Sequence, residues 1–209
     1  MTAPLPAVVE PAAAAAAVAS WPDLASAART CVACPELVDT RTQVVPGEAP
    51  AQADVLLVGE APGANEDLVG VPFVGRAGQL LDELLAEAGL DRPRVAVSNV
   101  LKCRPPANRK PRRAEVARCR PWLERQVALL RPRLVVALGG TAAEWFFGPT
   151  ARITALRGTV HAYGEASLLV TYHPSAAIRF GPAGLPVAAL REDLRTAARL
   201  LERPGRVPE

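Results

Sequence analysis

"DVLLVGE", residues 54–60, is the stretch on which the fold turns: four consecutive apolar residues, Val55 to Val58, run into Gly59 and Glu60. A half-exposed strand alternates apolar and polar residues, whereas a strand covered on both faces reads as an unbroken apolar run. This stretch is of the second kind. So are "RVAVSNV" (94–100), "RLVVALGG" (133–140) and "SLLVTYH" (167–173). Helical patterns lie between them. "AGQLLDELLAEAGL" puts Leu80, Leu81, Leu84 and Leu85 on one stripe and stops at Gly89. "RRAEVARCRPWLERQVALLRP" is longer, and Pro121 is expected to end one helical piece or begin the next. "TAAEWFFG" is short, and "PVAALREDLRTAARLLERP" closes the pattern. Strand alternating with helix predicts an α/β fold, a three-layer α/β/α sandwich around a mostly parallel four-stranded sheet. No internal repeat has a solenoid period.

Open parallel sheets bind ligands in the crevice beyond the carboxyl ends of their strands. Here those ends are Gly59-Glu60, Asn99, Gly139-Gly140 and His173. Each offers a polar side chain or bare backbone, so the crevice is the expected site.

The chain has 209 residues, half of them hydrophobic, which suits one globular domain and excludes general disorder. The alanine- and proline-rich start lacks a basic leader pattern and predicts a mobile arm over residues 1–22. One domain is expected over 23–203, with a short tail at 204–209. No apolar run reaches membrane-spanning length, so a cytoplasmic chain with no membrane contact, working as a monomer, is the expectation. The formal net charge of +3 is too small to establish nucleic-acid binding. Its distribution says more: "KCRPPANRKPRR" (102–113) holds six basic residues and no acid. By itself such a run is compatible with a solvated loop.

The loop after the first strand, "GEAPGANEDLVGVPFVGRAGQLL" (59–81), is glycine-rich but matches neither common phosphate cradle. A Walker loop needs a lysine, and there is none; a dinucleotide fingerprint needs G-x-G-x-x-G, and Gly59 and Gly63 are four apart with Pro62 between. The loop therefore suits something flat and uncharged. Phe73, between Pro72 and Gly75, is either core or a stacking platform. Glu66 and Asp67 either serve chemistry or cap a turn.

Four cysteines complete the inventory: Cys31 and Cys34 in "CVAC", then Cys103 and Cys119. In a reducing compartment disulfides are not expected, and the set suggests a tetrahedral zinc site or an iron–sulfur centre. Spacing does not choose between them. Either centre would clamp both ends of the basic segment.

"GEAPGANEDLVGVPFVGRAGQLL", "SNVLKCRPPANRKPRRAEVARCRPWL" and "TYHPSAAIR", with the four cysteines, resemble family 4 uracil-DNA glycosylases, bacterial and archaeal enzymes carrying one [4Fe-4S] cluster. The resemblance runs from about Cys31 to the last helix. It implies cluster ligation by Cys31, Cys34, Cys103 and Cys119, and uracil-containing DNA as substrate. It implies uracil contacts from Glu60, Ala61, Phe73, Asn99 and His173. Asn99, able to donate and accept, would read the O4/N3 edge and reject cytosine. His173 would donate to O2 as negative charge develops. Many relatives outside this family carry an aspartate where Ala61 stands, so water handling falls to Glu60 and Glu66; Asp67 is expected to fix the loop. DNA contacts are expected from Arg104, Asn108, Arg109, Lys110, Arg112, Arg113, Ser175 and Arg179, with Ile178 as an apolar wedge. His161 is expected at the surface without a role.

Competing readings differ at identifiable residues. Relatives that trap the abasic sugar covalently use a histidine in the loop that here reads "RPPANRKPRR", which has none. A broader-specificity family lacks the glutamate present as Glu60. A non-catalytic, metal-stabilised nucleic-acid-binding module would leave Asn99, His173 and Phe73 without a task.

Overall fold

The computed structural model describes residues 10–181 and 183–202. In chain order the helices α1 (Pro11–Ala16), α2 (Trp21–Arg29) and α3 (Pro35–Val38) precede strand β1 (Val55–Gly59). Helices α4 (Ala64–Val69) and α5 (Arg76–Glu87) lead to β2 (Val95–Asn99), then α6 (Arg113–Leu130), β3 (Leu134–Leu138), α7 (Gly140–Phe147) and α8 (Ile153–Leu156). Strands β4 (His161–Tyr163) and β5 (Ala166–Thr171) are followed by α9 (Pro174–Phe180) and α10 (Leu185–Glu202).

The sheet order is β2-β1-β3-β5-β4. Strands β2, β1, β3 and β5 are mutually parallel, as their continuous apolar runs require. The fifth strand, β4, is antiparallel to β5 and corrects the expected count of four. "HAY" has no apolar run, and β4 is an edge strand only partly covered, so it lacks the signal of a buried one.

Alternate residues of the central strands feed opposite layers. Val55, Leu57, Val97, Val136, Leu138 and Leu169 pack with Leu81, Leu84 and Leu85 of α5 and Leu190 and Leu194 of α10. Leu56, Val58, Ala96, Val135, Ala137 and Val170 pack with Leu123 of α6 and Ala142, Ala143 and Trp145 of α7. Two dry faces, each burying a row of branched side chains, hold the sandwich together.

Two further expectations are revised. Of the arm expected over 1–22, residues 1–9 lie outside the described residues, as does the expected tail at 204–209. The rest is not an arm: α1 packs against α6, with Ala15 buried in a third core that also contains Leu24, Leu37, Leu101 and Trp122. Alanine has the highest helix propensity, and Pro11 sits in the first turn, where no N–H is needed. Pro121 lies inside one continuous helix, α6. The carbonyl it cannot bond, four residues back, belongs to the exposed Ala117.

Because β2 lies on one side of β1 and β3 on the other, the chain reverses direction of travel at β1. That switch point fixes where the site forms.

Candidate active site

A cavity of about 480 Å³ opens beyond the carboxyl ends of the parallel strands. Its wall takes Glu60 from the end of β1, Asn99 from β2, Gly139 and Gly140 from β3 and His173 from beyond β5. Ala61, Glu66, Phe73, Asn108, Arg109, Ser175 and Arg179 complete the set of expected residues that reach it. Such a volume lies within the range of small-molecule pockets.

Phe73 is nearly buried and has φ of 55°, the left-handed region that a bulky side chain rarely occupies. Its neighbours impose that conformation. A Cβ added at Gly78 would lie 1.6 Å from the Phe73 carbonyl oxygen; one at Gly59 would lie 2.7 Å from Phe73 Cζ and 2.4 Å from Asn99 Oδ1. Both glycines are there for close approach. The Phe73 ring stands with its centroid 5.6 Å from that of His173, tilted by 30°. Asn99 is 2 % exposed, and its Oδ1 has no hydrogen-bond partner among the described residues. A buried, unsatisfied acceptor at a cavity wall is costly unless a ligand completes it.

His173 caps α9. Its Nδ1 accepts from the Ser175 backbone N–H at 3.1 Å and lies 2.8 Å from Ser175 Oγ. An N–H can only donate, so Nδ1 is the acceptor and the neutral ring carries its proton on Nε2. Enclosure by protein pushes the imidazole pKa down to about 4, against a smaller upward pull from the Glu66 charge. The residue is half-buried and lines the cavity. The imidazole is neutral at pH 7.

The acids divide by partner. Glu66 accepts from Gly63 N with Oε2 at 3.1 Å and from Gly75 N with Oε1 at 2.9 Å, so one carboxylate caps the starts of both α4 and α5. Asp67, buried, accepts from Thr42 N at 2.9 Å and also faces Gln43 N, fixing the loop as expected. Glu60 accepts from the Thr141 hydroxyl at the start of α7. Thr141 was not visible as a site residue: 81 positions separate it from Glu60.

The basic segment is partly self-paired. Arg104 donates to Asn108 Oδ1 at 2.7 Å, Arg109 embraces both oxygens of the buried Glu115, and Lys110 pairs with Glu144 at 2.9 Å. Arg112, Arg113, Ser175 and Arg179 are exposed. Arg104, Lys110, Arg112, Arg113 and Ile178 are outside the cavity lining. Ile178 is half-buried, whereas Phe180 at the end of the same helix is 66 % exposed and is the more prominent apolar group. His161 is half-buried, its Nε2 3.0 Å from the Leu156 carbonyl oxygen, rather than a surface residue.

Cys31, Cys34, Cys103 and Cys119 border one small cavity together with Arg41, Lys102, Arg118 and Trp122. Hydrogen-bond donors converge on the sulfurs: Arg41 Nη1 on Cys103 Sγ at 2.8 Å, Lys102 N on Cys119 Sγ at 3.3 Å, and Arg118 on Cys34. Trp122 also lines that cavity, and its Nε1 is buried without a hydrogen-bond partner among the described residues. Burial pushes the Cys103 thiol up to about 11 and Cys119 to about 12, so both are protonated unless a metal centre displaces the proton. Among the described residues no group of three or more His, Cys, Asp or Glu is disposed to hold a single metal ion. Four thiols with the cationic Arg41 and Arg118 around one cavity suit an anionic, sulfur-bound centre. Lys102, in the basic run of the sequence, is in fact wholly interior, and burial pulls its pKa down to about 8 against the opposing pull of Cys119 and Cys103.

A model of the uracil DNA glycosylase superfamily matches residues 46–195. A type-4 uracil-DNA glycosylase of Sulfurisphaera tokodaii is 43% identical over 158 residues, 71% of this chain and 71% of that protein. One from Thermotoga maritima is 42% identical over 179 residues, 85% of this chain and 92% of that protein. A type-5 uracil-DNA glycosylase of Mycobacterium leprae is more distant, 32% identical over 197 residues, 75% of this chain and 85% of that protein. With the superfamily match spanning most of its length and its higher identities falling among type-4 proteins, this chain belongs to the type-4 uracil-DNA glycosylases of the uracil DNA glycosylase superfamily.

Proposed function

We propose that this chain excises uracil from DNA, taking the flipped nucleotide into the strand-end cavity and hydrolysing its N-glycosidic bond to leave an abasic site. The observation that carries the reading is Asn99 Oδ1, buried and without a hydrogen-bond partner among the described residues, in a cavity that Phe73 and the neutral His173 also line. Uracil N3–H would complete that acceptor, and the amide's N–H would donate to O4. Cytosine presents an acceptor at N3 and a donor at C4, so the same amide would leave both faces mismatched. Phe73 would stack on the base.

As the C1′–N1 bond breaks, its electron pair leaves with the pyrimidine and spreads onto O2. A neutral imidazole with its proton on Nε2 is an electrophilic donor for that oxygen, already aligned by Ser175 and needing no proton uptake. The sugar becomes cationic, and water adds at C1′ with loss of a proton. With both oxygens of Glu66 engaged by backbone amides, we assign water positioning to Glu60 and a loop-holding role to Glu66. Ala61 has no group to activate water.

We further infer that Cys31, Cys34, Cys103 and Cys119 hold one [4Fe-4S] cluster. The four cysteines around a shared cavity would supply one thiolate to each iron. Bound there, the cluster supplies a cross-link between the segments before α3 and around α6. DNA contacts fall to the exposed Arg112, Arg113, Ser175 and Arg179, with Arg104, Asn108, Arg109 and Lys110 in the paired loop, and Phe180 joining Ile178 as apolar contact.

The test is a labelled oligonucleotide with one uracil, incubated with the protein and then treated with alkali. Strand scission at the uracil is the expected result. Binding without scission would replace the reading with a non-catalytic module, and an adduct surviving denaturation would replace hydrolysis with covalent trapping.

A further inference from the structure

We propose that Lys102 is a positioning residue for the base-reading amide: its ammonium holds the main chain of Asn99 in place while its own main chain is fastened to the cysteine centre. The inference rests on the reading of Asn99 given above.

The chain has only two lysines among its 24 Lys and Arg residues, and one of them is 1 % exposed. The other, Lys110, is exposed and pairs with Glu144, whereas Lys102 stands in the interior. Three donors on a point charge fit a narrow interior site; a planar guanidinium fork does not. Lys102 Nζ donates to the Asn99 carbonyl oxygen at 2.6 Å and to Ser98 Oγ at 2.8 Å. Ser98 in turn lies 2.9 Å from Gln126 Oε1, and Gln126 Nε2 donates to the Pro46 carbonyl at 2.7 Å. The ammonium therefore anchors the last two residues of β2 to α6 and to the loop before β1.

This anchorage matters because the Asn99 side chain has little to hold it. Its Oδ1 is unpartnered, so the direction of the carboxamide is set by its backbone and by the close walls of Gly59 and Phe73. At the other end, Lys102 N donates to Cys119 Sγ, and the next residue is Cys103. One residue thus joins the cysteine centre to the base-reading strand end.

The experiment is a double-mutant cycle in the purified full-length protein, using Lys102→Met, Asn99→Ala and the pair. Iron content and visible absorption report the centre, calorimetric titration with free uracil reports the pocket without chemistry, and single-turnover excision reports the reaction. Lys102→Met is expected to keep its iron and its affinity for uracil-free oligonucleotide within about twofold. Its uracil affinity and single-turnover rate should fall about ten- to a hundredfold, because two buried acceptors lose their donor. In the Asn99→Ala background the same change should cost less than about twofold in rate, since its effect passes through the missing amide. Multiplicative losses, or a Lys102→Met protein with wild-type uracil affinity, would overturn the inference. If Lys102→Met fails to fold, Ser98→Ala carries the same cycle. It keeps the lysine but removes one acceptor, and must weaken uracil binding only when Asn99 is present. If Asn99→Ala itself excises uracil at the wild-type rate, the reading of Asn99 fails first, which is a different result from a normal Lys102→Met beside an inactive Asn99→Ala.

Discussion

In the proposed reading, the chemistry of one amide, at Asn99, decides what the cavity can accept. Asn99→Asp exchanges the donor for a second acceptor and places a charge against a base that itself becomes anionic. The loss should be about a hundredfold or more in single-turnover excision, with affinity for uracil-free DNA little changed. His173 gives a second prediction, through pH. Unfolded, its imidazole has the ordinary value of 6.5; folded, burial holds it at about 4. Above pH 6.5 both states are neutral and stability is complete. Between 6.5 and 4 the unfolded chain binds a proton that the folded chain refuses, so stability falls, by at most about 1.4 kcal/mol per pH unit. Below 4 both are charged and the loss is complete. Denaturation midpoints of wild type and His173→Gln, compared across that window, should converge as pH falls. A constant difference would show that the ring is not held neutral.

Elements bring these side chains together, and here the sequence was legible in some places and silent in others. The four parallel strands announced themselves through uninterrupted Val and Leu runs, and their ends led to Asn99, His173 and Glu60 before any tertiary contact was known. β4 did not, because a three-residue edge strand needs no apolar run. α1 was hidden by its prolines, although alanine favours helix and α6 offers it a face. Thr141 and Lys102 were illegible for another reason: a hydroxyl meeting an acid 81 positions away, or an ammonium folded back onto its own strand end, leaves no periodic trace. The α4–α5 corner was half legible, since its glycines pointed to close approach but not to what approaches. Gly78 lies in α5 directly beneath the Phe73 carbonyl, so Gly78→Ala must displace the loop that carries the ring. The change should destabilise the protein by about 1–3 kcal/mol and reduce uracil affinity more than DNA affinity. Thermal melts and uracil titration check both halves. Glu66→Ala acts on the same corner by releasing the Gly63 and Gly75 amides, and should cost about 1–2 kcal/mol.

At the scale of the molecule, two dry layers carry the sheet while a third core, containing the cysteines, carries the helices before β1 and one side of α6. Those two parts depend differently on a metal centre. The sheet layers are closed by apolar side chains alone, mostly Leu, Val and Ala, with Phe73 in one and Trp145 in the other. The third core includes Cys34, Cys103 and Cys119 among its buried members and leaves the Trp122 N–H without a partner among the described residues. Loss of the proposed cluster would leave buried thiols and cationic donors without their common partner and would unfasten both ends of the 103–119 segment. Metal binding free energy in such sites is folding free energy. Removal of iron by a chelator after oxidation, or Cys103→Ser, should therefore lower the melting temperature by about 10 °C or more. It should also open the exposed Arg112–Arg113 bonds to trypsin ahead of bonds in α5 or α10. The same treatment should flatten the salt dependence of DNA affinity, because the arginines of that segment no longer hold one arrangement against the phosphates. A protein that loses its iron yet keeps its melting temperature, its proteolytic pattern and its salt slope would show that the third core stands on hydrophobic packing alone.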